Sequence, residues 1–335
     1  MSETDTLATR AAVVEELLSG EHFLLATHEN LDGDALGSLV AMQEILSELG
    51  KDSIMFIADS ELPLPHEYRF MMLNGLVSAI PEDLADRTIV FLDCGNIDRN
   101  PAHVLRAGTR LINIDHHHDN TRFGTLNHVV PEASCTAEIV WDLMPGLGVE
   151  PTQAIAEALY VGLVTDTGRF MYENTGPRAH TMAAELIEAG VDVAEMFSRL
   201  YEGIPLAKLK LFARALQDVT RYDDGRLTLT RLTVEDYRAS EAEESHSEGL
   251  IDLLRSVEGT KVAVLVRDML SEGRAGRRKV SLRSTDGEVD VSAIAREQGG
   301  GGHRQAAGFQ TELATDELIE FLREQICAQL APAAL

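Results

Sequence analysis

LINIDHHHDN, residues 111–120, decides how this chain is read. An apolar run ends in Asp115 and is followed at once by His116, His117 and His118, although the whole chain has only 11 histidines. The run LINI, three of its four residues apolar, reads as a buried strand, so the cluster stands at that strand's carboxyl end. Upstream, HFLLAT (22–27), SIMFIA (53–58) and TIVFLD (88–93) have the same character. Between and after them lie helical patterns over Ala35–Leu49 and around 134–144, 152–165 and 176–189, with a short helix expected at PAHVLRAG (101–108). Strands alternating with helices predict a mostly parallel sheet covered on both faces. Ligands of such sheets bind beyond the carboxyl ends of the strands.

Those ends are chemically unusual. HFLLAT runs into HENLDGDALGS (28–38), which delivers His28, Asp32 and Asp34. TIVFLD delivers Asp93, and the apolar stretch YVGLVTDTGRF (160–170) delivers Asp166. Taken singly, each segment also reads as a helix cap or a polar loop. Together they would crowd carboxylates whose mutual repulsion and desolvation are costly. A divalent metal removes that conflict. His28, Asp32, Asp34, Asp93, His116 and Asp166 are enough for two ions sharing one carboxylate. Mixed imidazole and carboxylate donors suit Mn²⁺ and argue against a purely structural zinc. Two ions about 3.5–4 Å apart can clamp a phosphoryl oxygen and activate water.

Beyond Gly190, residues 191–218 look helical and connecting, interrupted at EGIP (202–205). The pattern then changes to alternating strands at 226–232 and 278–284, a buried strand at 261–269, a helix at 291–298, an extended run at 306–311 and a closing helix at 317–330. This predicts a smaller second α/β domain. The acidic stretch 240–250 is expected as a solvated loop or helix start. GGGHRQAAG (300–308) lets backbone N–H groups approach an anion, with His303 beside them. Arg274, Arg277, Arg278, Lys279 and Arg283 concentrate basic charge nearby.

Composition bounds the partners. The chain has 335 residues and a formal net charge of −26, which disfavours long polyanions. It has no run of the roughly 18 apolar residues that a membrane span needs. The start of the chain does not read as a signal peptide. Cys94, Cys135 and Cys327 lack metal-finger spacing and read as reduced thiols, which gives a cytoplasmic expectation.

With HENLDGDALGS, FLDCGN, NIDHH, TDTGRF and GGGHRQAAGF in this order, the chain resembles the DHH phosphoesterases, with a DHH-associated domain of the first type. The layout is similar to the nanoRNase/pAp-phosphatase branch. The resemblance implies a parallel-sheet catalytic domain (1–190), a helical connector (191–218) and a mixed-sheet substrate-binding domain (219–335), with the active site in the cleft between. It implies that His28, Asp32 and Asp93 hold one divalent ion. Asp34, Asp93, His116 and Asp166 would hold the other, with manganese as first choice and magnesium or cobalt as the alternatives. His117 would face the scissile phosphate and Asp115 would orient a histidine. Arg283, Gly301, Gly302 and His303 would contact substrate. Arg169 is weighed evenly between a phosphate contact and an ion-pair partner of the acidic site.

The implied activity is hydrolysis of short oligoribonucleotides to mononucleotides and of 3′-phosphoadenosine 5′-phosphate to AMP, with linear or cyclic dinucleotides as further substrates. A RecJ-like single-strand exonuclease and a catalytically silent nucleotide sensor are the alternatives. A homodimer is the assembly the family leads one to expect.

Overall fold

The computed structural model describes the backbone of residues 3–71, 73–107, 110–270 and 276–330, and their side chains except at 3–5, 107 and 303. The chain forms two compact units, Met1–Gly203 and Ile204–Leu335.

The first unit is built on β1 (His22–Ala26), β2 (Asp52–Phe56), β3 (Leu76–Val77), β4 (Thr88–Leu92), β5 (Leu111–Asp115) and β6 (Leu126–Val129). Their order is β3-β2-β1-β4-β5-β6, and every described pairing is parallel. The order reverses between β1 and β4, the point where doubly wound sheets open a crevice at their carboxyl edge. Helices α1 (Glu3–Ser19), α2 (Gly33–Glu48), α3 (Thr136–Leu147), α4 (Gln153–Asp166), α5 (Pro177–Glu188) and α6 (Val193–Tyr201) complete the unit.

Side-chain alternation along the strands feeds two cores, as a strand's period of two requires. Phe23, Leu25, Met55, Val90, Leu92, Ile112 and Ile114 pack with the helices. Leu24, Ala26, Phe56, Ile89, Phe91 and Leu111 face the other way. That second face is covered by loops and short 3₁₀ turns contributing Leu84, Ile97 and Leu105. The helix expected at 101–108 is one of these, a 3₁₀ turn over His103–Ala107, with Gly108 outside the described residues. A segment this short, closed by Pro101 and Gly108, cannot nucleate a stable α-helix.

The second unit has α7 (Leu206–Gln217), β7 (Thr220–Tyr222), β8 (Leu227–Leu232), α8 (Val234–Ser240), α9 (Leu250–Arg255), β9 (Val262–Asp268), β10 (Arg278–Ser284), α10 (Val291–Glu297), β11 (Gly301–His303), β12 (Ala306–Thr311) and α11 (Thr315–Leu330). Its sheet runs β11-β12-β10-β9-β8-β7 and is mixed: β8 and β9 are parallel, the other pairs antiparallel. The 191–218 stretch is thus divided, α6 falling in the first unit and α7 in the second. The acidic stretch 240–250 forms a 3₁₀ turn over Glu244–Ser247 and leads into α9.

Candidate metal centre

Three strand ends and one helix end deliver the cluster. β1 is followed by His28, β4 by Asp93, and β5 by His116 and His117, while Asp166 is the last residue of α4. Asp93 takes a left-handed backbone (φ 57°), which ends the strand and is a conformation non-glycine residues reach mostly at special sites. Asp32 caps α2 by accepting from the Ala35 N–H at 3.0 Å, so Asp34 lies inside the first turn rather than at the cap.

Asp93 is the hub. Its Oδ2 lies 3.3 Å from His28 Nε2, and its Oδ1 lies 3.6 Å from both His116 Nε2 and His117 Nδ1. His28 Nε2 is also 3.5 Å from Asp32 Oδ2, and His116 Nε2 is 3.7 Å from Asp166 Oδ2. Potential donor atoms of His28, Asp32 and Asp93 lie within 4.8 Å of one another, as do those of Asp34, His116 and Asp166, and those of Asp93, His116 and His117. The six residues singled out as metal ligands are therefore brought into one place.

The electrostatics fit cations. Asp93 is 2% exposed; burial opposes its ionisation, but the hydrogen bond and charge of His28 bring it down to about 2. Burial, then the charges of Asp93 and Asp166, pushes Asp34 well above the carboxylate range. Burial likewise raises Asp166 to about 7 despite the opposing charge of His116. His28 is raised to about 10: burial disfavours its charge, yet its bonds to Asp32 and Asp93 prevail. Asp34 and Asp166 are thus buried acids held near other acids, a crowding that divalent ions would relieve. The oxygen and imidazole donor set matches ions of the Mn²⁺ or Mg²⁺ type.

The centre is braced by groups that sequence reading passed over. The amino end of α3 clamps Asp34: Thr136 N donates to Oδ2 at 2.6 Å and Ala137 N to Oδ1 at 2.9 Å. The Thr136 hydroxyl donates to Asp93 Oδ1 at 3.1 Å, so one residue bridges both carboxylates. Orphan N–H groups and the helix dipole make this end a natural carboxylate holder. Glycines let the helices close in. A Cβ at Gly37 would meet Ala158 O at 2.4 Å, and one at Gly162 would meet Asp34 Oδ1 at 2.8 Å. Asn174 Nδ2 donates to Asp166 Oδ2 at 3.1 Å and to Ser134 O at 2.7 Å.

Asp115 is fully buried beside this carboxylate–imidazole cluster. Its Oδ1 is 2.8 Å from His117 Nδ1, and Asn120 Nδ2 donates to its Oδ2 at 2.5 Å. His117 is raised to about 9, since its bond to Asp115 and the charge of Asp93 outweigh burial. The Arg169 guanidinium lies over the Tyr201 ring, 5.1 Å from the centroid.

The remaining candidates lie in the second unit. Arg283 is half-buried on β10, with Nη1 donating to Leu282 O at 3.1 Å. Gly301 and Gly302 are on β11, which pairs with β12 as a hairpin. The side chain of His303 and all of Arg274 lie outside the described residues.

Comparison with known proteins follows the same lines. The model of the DHH family, N-terminal domain, matches residues 22–163, and the DHHA1 domain model matches residues 230–329. The bifunctional oligoribonuclease and PAP phosphatase NrnA of Thermus thermophilus is 37% identical over 310 residues, covering 90% of this chain and 89% of that protein. The protein of the same name from Bacillus subtilis is 29% identical over 290 residues, covering 85% and 88%. Among solved structures, an exopolyphosphatase-related protein from Bacteroides fragilis superposes with a TM-score of 0.81 at 22% identity, covering 96% of each chain. Among the described residues no helix is long and apolar enough to cross a membrane.

Proposed function

The chain belongs to the DHH family, and from that premise we propose that it is a metal-dependent phosphoesterase. Its substrates are short oligoribonucleotides, cleaved to mononucleotides, and 3′-phosphoadenosine 5′-phosphate, cleaved to AMP; linear or cyclic dinucleotides are further candidates. The relatives named bifunctional oligoribonuclease and PAP phosphatase support this substrate class. The observation that carries the reading is the position of Asp93, whose two oxygens address His28 on one side and His116 on the other.

In this account His28, Asp32 and Asp93 hold one divalent ion, and Asp34, Asp93, His116 and Asp166 hold a second, with manganese the preferred metal. When bound, such ions supply positive charge to the phosphoryl oxygens and acidify an attacking water. The protein supplies the rest. Thr136 and the α3 N–H groups fix the carboxylates so that the donors need not reorganise. Asp115 holds His117 by Nδ1, which leaves Nε2 to face the scissile phosphate and pass a proton to the departing oxygen. Asn120 secures Asp115 in turn.

The net charge of −26 supports small substrates over long strands, because little cationic surface is available to neutralise an extended backbone. The test is a panel of pAp, linear and cyclic dinucleotides, and longer single strands at fixed Mn²⁺, repeated with chelator. The proposal expects turnover concentrated on pAp and the shortest oligomers, lost with chelator. Equal efficiency on dimers and long strands, or activity indifferent to chelation, would overturn it.

A further inference from the structure

The chain leaves β4 through Asp93 and enters a 3₁₀ turn over Ile97–Arg99. This turn is tied to two segments of the metal centre. Asn100 Nδ2 donates to Thr27 O at 2.6 Å and Glu29 N donates to Arg99 O at 2.7 Å, so the two bonds bracket His28. On the other side Thr121 N donates to Gly95 O at 2.8 Å, and a Cβ at Gly95 would lie 3.3 Å from His117 Cβ. Asn96 closes the turn: its Oδ1 accepts from Asp98 N and its backbone O from Arg99 N, both at 3.0 Å. Arg99 thus stands on a hydrogen-bonded turn joined to the His28 segment on one side and to the His117 segment on the other.

Two observations set this arginine apart. Arg99 is half-buried, yet among the described residues its guanidinium has no hydrogen-bond or ion-pair partner. Acids are plentiful, with 55 acidic residues against 29 basic ones. The neighbouring Asp98 goes to Arg106, at 2.5 Å. The buried carboxylates of this edge are held by others, Asp93 by His28 and Thr136 and Asp115 by His117 and Asn120. A half-buried guanidinium without partners loses hydration and gains no bonds, a cost that a bound anion would offset. The second observation is where its charge is felt. Burial raises the Cys94 thiol to about 12, and the charge of Arg99 is the largest influence opposing that rise. At His117, burial, the bond to Asp115 and the charges of Asp93 and Asp115 act first, and Arg99 then opposes protonation. Arg99 and His117 are therefore two groups able to carry like charge on adjoining segments, an arrangement that an anion between them would relieve.

We propose that Arg99 is a further catalytic residue, whose guanidinium takes the non-bridging oxygens of the scissile phosphate on the His117 side of the metal centre. That the anion is this phosphate rests on the phosphoesterase reading. A planar fork of N–H donors fits two phosphate oxygens at once, which the point charge of a lysine does not. As the phosphoryl group is transferred, negative charge is spread over those oxygens, and a cation already desolvated and held on a bonded turn stabilises it without reorganising. His117 keeps its own task at the departing oxygen.

The test titrates inorganic phosphate calorimetrically into the Mg²⁺-loaded protein. Arg99→Gln should weaken phosphate about tenfold to a hundredfold, as loss of a charge-assisted contact requires, and Arg99→Lys should recover part of that loss. Arg110→Gln, which removes an exposed arginine just ahead of β5 and changes the net charge equally, should bind phosphate as the wild type does. With pAp as substrate, kcat of Arg99→Gln should fall by about 10²–10³. Because the side chain holds no partner, the urea midpoint read from Trp141 should not move. Unchanged phosphate affinity in Arg99→Gln, equal weakening in Arg110→Gln, or a wild type that binds no phosphate would overturn the contact. A lowered midpoint in Arg99→Gln would make Arg99 a structural cation and overturn it as well. Turnover by the wild type is scored separately: phosphate binding that depends on Arg99 without hydrolysis would leave the contact standing and remove the enzymatic reading.

Discussion

Replacing Gly162 by alanine puts the packing and the metal centre to the same test. The added methyl would lie 2.7 Å from Ala137 Cβ and 2.8 Å from Asp34 Oδ1. Both contacts are well inside van der Waals range, and neither belongs to the loose end of a long side chain. Relief requires α4 to back away from α2 and α3, or the Asp34 carboxylate to leave the Ala137 N–H. Overpacking of this kind costs about 1–3 kcal/mol. A disturbed hydrogen bond to a charged group adds about 1.5–3 kcal/mol if it is lost. The better helix propensity of alanine offsets about 1 kcal/mol. The expected net loss is about 2–4 kcal/mol in the first unit. The chain's single tryptophan, Trp141, lies on α3 and bonds Glu185 on α5, so its fluorescence reports this unit alone. Urea titration of the metal-free protein should show a lower midpoint with an unchanged slope. Because Asp34 is displaced, calorimetric titration should also show one Mn²⁺ site weakened about tenfold to a hundredfold. A variant with the wild-type midpoint and two intact metal sites would refute the claim that this close approach sets the position of Asp34.

Other expectations follow from the same geometry. Thr136→Val removes the hydroxyl on Asp93 but keeps the N–H on Asp34; it should weaken manganese binding about tenfold, with Thr136→Ser restoring it, and equal losses in both variants would discount the hydroxyl. Asp115→Asn should lower kcat by about 10²–10⁴ with metal content unchanged, and a loss of bound manganese instead would place His117 and Asp115 in the ligand set. His128, 2% exposed and bonded to Thr9, is pressed down to about 4 by burial and the charge of Arg10. The unfolded chain therefore takes up this proton first, below about pH 6.5, so stability falls as pH drops from there towards 4, by about 2 kcal/mol at pH 5. Urea midpoints at pH 7 and pH 5 should thus separate more in the wild type than in His128→Gln, and equal separations would contradict the assignment.

The strand ends were legible because a parallel sheet leaves little choice: His28, Asp93 and His116 each close an apolar run, and parallel runs end on one edge. The strands of the second sheet were legible from the alternation in RLTLTRL and RKVSLRS, which became β8 and β10, whereas its mixed pairing came from the family resemblance. The clamp on Asp34 was not legible. SCTAEIV reads as an ordinary helix start, and its partner lies 102 residues away, a distance no local pattern spans. β3 and β6, of two and four residues, are too short to show periodicity. The 3₁₀ cover over Phe91 and Leu24 has no period at all. Glu248 looked like one more charge in an acidic run until the turn at Glu244–Ser247 brought it to Arg267.

Counting manganese ions is the most direct trial of the central claim, that Asp93 joins two metal sites at the reversal point of the first sheet. Calorimetric titration, with anomalous diffraction from crystals grown in Mn²⁺, should give two ions per wild-type chain, one on each side of Asp93. Asp93→Ala should bind neither ion tightly. Two tight ions in Asp93→Ala, or a wild type with no ion among these side chains, would contradict it.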